Sequence, residues 1–182
     1  MNRKLIERGV CMIIEGLLDA GETDHNFDDT PRRVADVYEE LFVPRKSNHN
    51  VVFDEDYTDV VLVRGHVFYT LCPHHLLPVE LTAHVAYMPA GKVLGASKLI
   101  RLISECSTRP MTQERLTSAI LTRLNELTEH TSTGGACMLI GKHGCFSMRG
   151  VRSHAADMKT LKYAGVFEEP QMQQRFLDMV TR

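Results

Sequence analysis

Apolar residues near the start of the chain return at helical spacing: Ile6, Val10, Ile13 and Leu17 form one stripe despite Gly9 and Gly16, and Gly21 marks a stop. A second stripe, Val34, Val37, Tyr38 and Leu41, follows Asp29-Thr30-Pro31, an acid placed to cap and a proline suited to a first helical turn. This helix is predicted to end before Pro44. Residues 45–59 are polar and acidic and read as a connection with a short extended piece at Val51-Val52-Phe53. From Val60 the pattern changes: Val60 to Val63, Val67 to Tyr69 and the alternation of Leu81, Ala83, Val85 and Tyr87 predict strands. Helical period returns over 97–106 and 112–127. Residues 136–140 and 145–151 read as a hairpin, and Pro170 opens a last helix carrying Phe176, Leu177 and Val180. Strands and helices come in runs, so an α+β fold with an antiparallel sheet is expected rather than a doubly wound one.

Composition narrows this. A chain of 182 residues, 43% hydrophobic, can bury one core and is short for two ordinary domains. One domain over 1–182 is expected, with an N-terminal helical segment at 1–45 and a core at 58–182. The 21 Lys plus Arg nearly balance 23 Asp plus Glu, which gives no reason to expect nucleic acid or an anionic membrane as partner. No stretch approaches the ~20 apolar residues of a membrane span. Five cysteines, at 11, 72, 106, 137 and 145, form no dense even framework, so a soluble protein of a reducing, cytoplasmic compartment is expected. Cys11, Cys106 and Cys137 sit among apolar neighbours and read as core side chains. Cys72 and Cys145 have histidine company.

Cys72-Pro73-His74-His75 puts a thiol and two imidazoles within four positions at the end of a strand-like run. Thiolate and imidazole suit zinc, and a catalytic zinc typically takes three protein ligands and leaves a fourth position open. Adjacent side chains point apart in an extended chain, so one of His74 and His75 is left for proton transfer. In His143-Gly144-Cys145-Phe146-Ser147-Met148-Arg149 a strand would align positions 143, 145, 147 and 149 on one polar, metal-seeking face; a solvated hairpin with an incidental cysteine is the plainer reading. Ser97 is placed to cap a helix whose first turn carries Lys98 and Arg101. These cations oppose the helix dipole unless an anion sits there; otherwise they are solvated surface. Glu114, in Gln113-Glu114-Arg115, compensates a helix dipole or recognises a base.

As an ordered set, Thr30-Pro31-Arg32-Arg33, Cys72-Pro-His-His75, Ala86-Tyr-Met-Pro89, Gly95-Ala-Ser-Lys-Leu-Ile-Arg101, Gln113-Glu-Arg-Leu-Thr117, His143-Gly-Cys145, Met148-Arg-Gly-Val-Arg152 and Gly165-Val-Phe167 resemble the GTP cyclohydrolase I family. The resemblance implies a tunnelling fold: N-terminal helices, an antiparallel sheet with helices on one side, and subunit sheets closing into an oligomeric barrel. The family is typically a homodecamer with active sites between subunits. It implies one Zn2+ per subunit on Cys72, His75 and Cys145, with His74 and His143 as acid and base. Glu114 and Gln113 would face the guanine, Ser97 the ribose, and Lys98, Arg101, Arg149 and Arg33 the triphosphate. The implied reaction hydrolyses GTP at C8, releases formate and yields 7,8-dihydroneopterin triphosphate, the first step of pterin and folate synthesis.

Four places depart from the family pattern. Pro73 stands where a glutamate is usual, removing a charge and a backbone N–H; Asp36 stands where a lysine is common. Lys159 to Ala164 lacks the usual Thr/Ser-rich run, and Ile140-Gly141-Lys142 is atypical. Two other readings therefore accompany the first: a divergent zinc cyclohydrolase that takes another guanine nucleotide or stops at the ring-opened formamide, and a non-catalytic guanine-nucleotide-binding member of the fold.

Overall fold

The computed structural model describes residues 1–19, 21–43, 52–128 and 131–181. The chain divides into two compact units, Met1–Arg45 and Lys46–Arg182.

The first unit holds two helices. Helix α1 (Arg3–Leu17) starts where the Asn2 side chain accepts from Leu5 N, satisfying one of the free N–H groups of a first turn. Helix α2 (Thr30–Phe42) stops before Pro44, as its stripe predicts, but Asp29 makes no capping bond. Its carboxylate instead meets Arg32 at 3.3 Å and Arg33 at 3.5 Å, and the Arg32 guanidinium above all holds it below the ordinary carboxylate range. Arg3 pairs with Glu7 on its own helix and joins α1 to α2 through Asp36 and Glu39. The expectation that Cys11 is a core side chain fails. Nothing in α1 is buried, and Cys11 is exposed with Leu5, Met12, Ile13 and Leu17.

In the second unit β1 (Val52–Asp54) pairs with β4 (Lys92–Leu94), close to the predicted extended piece; Val51 lies outside the described residues. The main sheet runs β2-β3-β5-β6, all antiparallel, from β2 (Val61–Leu71), β3 (Pro78–Pro89), β5 (Ser132–His143) and β6 (Met158–Gly165). The two strand-like pieces after Val60 are one strand, β2, with a bulge between Val63 and His66 where Gly65 has φ +75. The one extra residue switches the parity of the inward positions, so Val61 and Val63 before the bulge and Phe68 and Thr70 after it serve the same face. On that face Leu81, Ala83, Val85, Tyr87, Cys137 and Leu139 pack with Leu99, Leu102 and Ile103 of α3 (Ala96–Cys106) and Leu116, Ile120 and Leu124 of α4 (Gln113–Leu127). The alternation in β3 is thus a true inward face. Part of the opposite face carries a second cluster, Ala86, Ala136 and Met138, beneath Phe167 and Phe176, the latter from α6 (Pro170–Thr181).

The predicted hairpin is corrected. Residues 145–151 do not return beside β5; the chain enters a helical turn, α5 (Gly144–Ser147), and β5 pairs with β3 and β6 instead. The β3–β5 ladder ends at Val79↔His143 because the next residue of β3 is Pro78, which has no N–H to extend it.

Candidate metal centre and its pocket

That ladder end assembles the site. Between β2 and β3 the chain turns over residues 72–77, closed by Cys72 N donating to Leu77 O at 2.9 Å and Leu76 N donating to Cys72 O at 2.8 Å. Leu76 takes φ +53, an uncommon conformation for a γ-branched residue, which makes this a tightly held loop. Register at Val79↔His143 then brings the loop beside α5. A Cβ on Gly144 would meet Pro78 O at 2.9 Å, so the close approach requires glycine.

The consequence is a cluster drawn from both ends of the sequence motif set. One ligand atom each from Cys72, His75 and Cys145 lies within 4.8 Å of the others, and among the described residues this is the group able to share an ion. Cys72 is buried, Cys145 half-buried and His75 exposed. His74 Nδ1 and His75 Nδ1 stand 3.8 and 3.7 Å from Cys72 Sγ, but only His75 joins the cluster. Burial, and next the adjacent Cys72 sulfur, push the Cys145 thiol above its ordinary range. A divalent cation removes that conflict by holding both sulfurs as thiolates, so the donor set fits a zinc-type ion. Arg149 Nη1 donates to His75 Nε2 at 2.6 Å.

A cavity of about 160 Å³ opens beside the cluster, lined among others by Cys72, His74, Glu114, Gln113, His143 and Cys145. Glu114 stands exposed in the first turn of α4, which Thr112 caps by accepting from Arg115 N. His143 stacks on Phe146 with centroids 5.1 Å apart, and burial, partly countered by Glu114, pushes its pKa below the ordinary histidine value. Gln113, only 3% exposed, turns its amide onto His143, Leu139, Met158 and Thr160.

Other expected residues lie elsewhere. Ser97 is not a cap: α3 begins at Ala96 with Gly95 as its N-cap, and Ser97 is exposed in the first turn. Lys98 is buried and Arg101 exposed on the same turn, and neither lines the cavity. Arg33 belongs to the first unit. Residues 143, 145, 147 and 149 share no strand face, because α5 replaces the strand over Gly144–Ser147; Arg149 lies past the end of that turn and reaches His75 instead. Phe146 and Thr70 were absent from the sequence-derived set. Thr70 Oγ1 is buried on the cavity wall with no partner among the described residues. An alternation that places a hydroxyl on the apolar face of β2 is the signal that could have found it.

Comparison with known proteins agrees with the motif set. Residues 6–181 match the family model described as GTP cyclohydrolase I. The chain is 37% identical over 183 residues to the GTP cyclohydrolase 1 of Rhodopirellula baltica, covering 97% of this chain and 78% of that one. With that of Enterococcus faecalis it shares 38% over 179 residues, 94% of each. With that of a Sulfurihydrogenibium species it shares 38% over 185 residues, covering 99% and 96%. Among solved structures, the apo form of the archaeosine synthase QueF-Like aligns with 66% of this chain and 97% of that one at TM-score 0.44 and 14% identity, too distant to bear on fold or function. A match running almost end to end, through both the cysteine loop and the turn after β5, places this chain in the GTP cyclohydrolase I family.

Proposed function

We propose that this chain hydrolyses GTP at C8, releasing formate and forming 7,8-dihydroneopterin triphosphate. The observation that carries the reading is one cavity bordered by two of the three metal donors, Cys72 and Cys145, two imidazoles, His74 and His143, and one first-turn carboxylate, Glu114. Cys72, His75 and Cys145 would hold zinc, with the Cys-Pro-His-His loop as a working variant of the family's metal motif. When bound, zinc supplies Lewis-acid activation of water near neutral pH. Glu114 accepts paired N–H donors from the guanine edge and so orients C8. His74 and His143 move the protons that C–N cleavage requires: a ring nitrogen leaving C8 must be protonated, and hydrolysis of the resulting formamide expels C8 as formate. Lys98, Arg101, Arg149 and Arg33 would hold the triphosphate, with Ser97 toward the ribose.

Two further observations support the reading. Asp36, which would weaken a phosphate clamp, is already engaged by Arg3 at 2.6 Å and Arg32 at 3.2 Å. The cavity, about 160 Å³, is smaller than the ~300–1,000 Å³ of a complete small-molecule site, as expected if a neighbouring subunit of a decamer finishes it. The test is purified, zinc-loaded protein given GTP, with formate and oxidised-pterin fluorescence followed before and after chelation. Product masses from dGTP and lower phosphates read the effect of Pro73. Zinc binding without formate or pterin would refute the proposal.

A further inference from the structure

Gln113 has partners at both ends of its side-chain amide. The two N–H hydrogens of its Nε2 are shared among Leu139 O at 3.0 Å, Met158 O at 2.9 Å and Thr160 Oγ1 at 3.1 Å, while its Oε1 lies 2.8 Å from His143 Nε2. Two of the partners of Nε2 are carbonyl oxygens, which only accept. Exchanging amide oxygen and nitrogen would set an oxygen against two oxygens, so the orientation follows from chemistry. Thr160 agrees with it. Thr117 Oγ1 donates to Gln113 O at 2.8 Å, so the hydrogen in the 2.6 Å Thr117–Thr160 contact comes from Thr160, leaving Thr160 a lone pair for the amide. Every hydrogen in the network points one way.

The last link is His143. Its Nε2 faces an atom that only accepts, so in the neutral ring the proton sits on Nε2 and the lone pair on Nδ1. Stacking on Phe146 fixes the plane of the ring. Gly141 leaves the space: a Cβ there would collide with Gln113 Oε1 and approach His143 Nε2 to 2.9 Å. We propose that Gln113 is a positioning residue that locks His143 in the Nε2–H tautomer and makes Nδ1 its proton-accepting atom, rather than a residue that reads the guanine. The consequence for turnover rests on His143 being a proton-transfer group, as argued above; the tautomer does not.

The test uses zinc-loaded protein with 15N-labelled histidine and a long-range proton–nitrogen correlation spectrum, His143 being assigned by its loss in His143→Gln. The expected spectrum shows a protonated Nε2 and an unprotonated Nδ1. In Gln113→Met both nitrogens move toward values averaged over the two tautomers, and kcat falls ~10-fold or more with KM for GTP little changed, as for a misoriented proton-transfer group. Thr160→Val, a milder change, gives a smaller shift in the same direction and serves if Gln113→Met does not fold. A protonated Nδ1 in the unaltered protein overturns the proposal. So do unchanged His143 shifts in both variants, or a raised KM at constant kcat. Correct tautomers in a protein that releases no formate would leave this inference standing and remove the proposed activity.

Discussion

Adding one methyl group, Gly141→Ala, tests how firmly the pocket is built. Gly141 is buried in β5, paired with Leu81 on one side and Met158 on the other, so the strand has ladders on both edges and little freedom to shift. The new Cβ would meet Gln113 Oε1, His143 Nε2 at 2.9 Å and Leu81 Cδ2 at 3.0 Å. A leucine methyl yields by tenths of an ångström, but the amide cannot move without breaking its bonds to Leu139, Met158 and Thr160. Losing one or two net hydrogen bonds at ~1 kcal/mol each and stranding a buried polar group at ~1–3 kcal/mol gives a cost of ~2–5 kcal/mol. Restricting the unfolded chain returns ~0.4–1 kcal/mol. The expected net loss is therefore ~1–4.6 kcal/mol. Urea unfolding of zinc-loaded protein at fixed concentration measures it, together with Gln113→Ala and the double variant. With the amide gone the methyl has room, so the two costs should fall short of additivity by more than ~1 kcal/mol. Additive costs, or a Gly141→Ala penalty below ~0.5 kcal/mol, would refute the packing argument.

Thiol reactivity should separate the five cysteines. With zinc bound, an aromatic disulfide reagent should titrate exposed Cys11 first; Cys72 and Cys145 should become reactive on chelation, while burial, which raises Cys106 to about 11 and Cys137 higher still, keeps those two slow until unfolding. Tyr87→Phe removes the hydroxyl that accepts from Leu94 N at 2.7 Å in a fully buried position, and should lower the urea-derived stability by ~1–2 kcal/mol. His84 is buried with neither ring nitrogen partnered among the described residues, and burial, then Arg64, lower its pKa. The unfolded chain therefore takes up this proton first. Stability is complete above the unfolded value of ~6.5 and is lost as pH falls from there toward the folded value. The urea midpoint of His84→Leu should drop less than that of the unaltered protein between about pH 7 and pH 5.5.

Much of the site was legible because its parts are local. Cys72 and His75 lie in one short loop, and the alternation from Leu81 to Tyr87 names the inner face of β3 directly. Cys145 could be suspected from its neighbours, but its meeting with Cys72 depends on the Val79↔His143 register, which pairing distant in sequence decides. The helical turn of α5 reads as strand in the sequence because the reason the ladder ends, Pro78, sits on the other strand. Gln113 was hidden more deeply. Two of the groups that orient it are backbone carbonyls of Leu139 and Met158, and a carbonyl is the same in every residue. Strand β6 gave half a signal, since Lys159 and Lys162 fall on opposite faces of the alternation and blur it.

The meeting of the two cysteines at the end of the β3–β5 ladder has a consequence for folding as well as chemistry. Shifting that ladder by one residue would turn every side chain to the opposite face and carry Cys145 away from Cys72. Only the correctly zipped sheet offers all three donors to one ion, so a metal held by them would act as proofreader of strand alignment. It would stabilise the single pairing that satisfies it, by mass action, and leave slipped pairings without that reward.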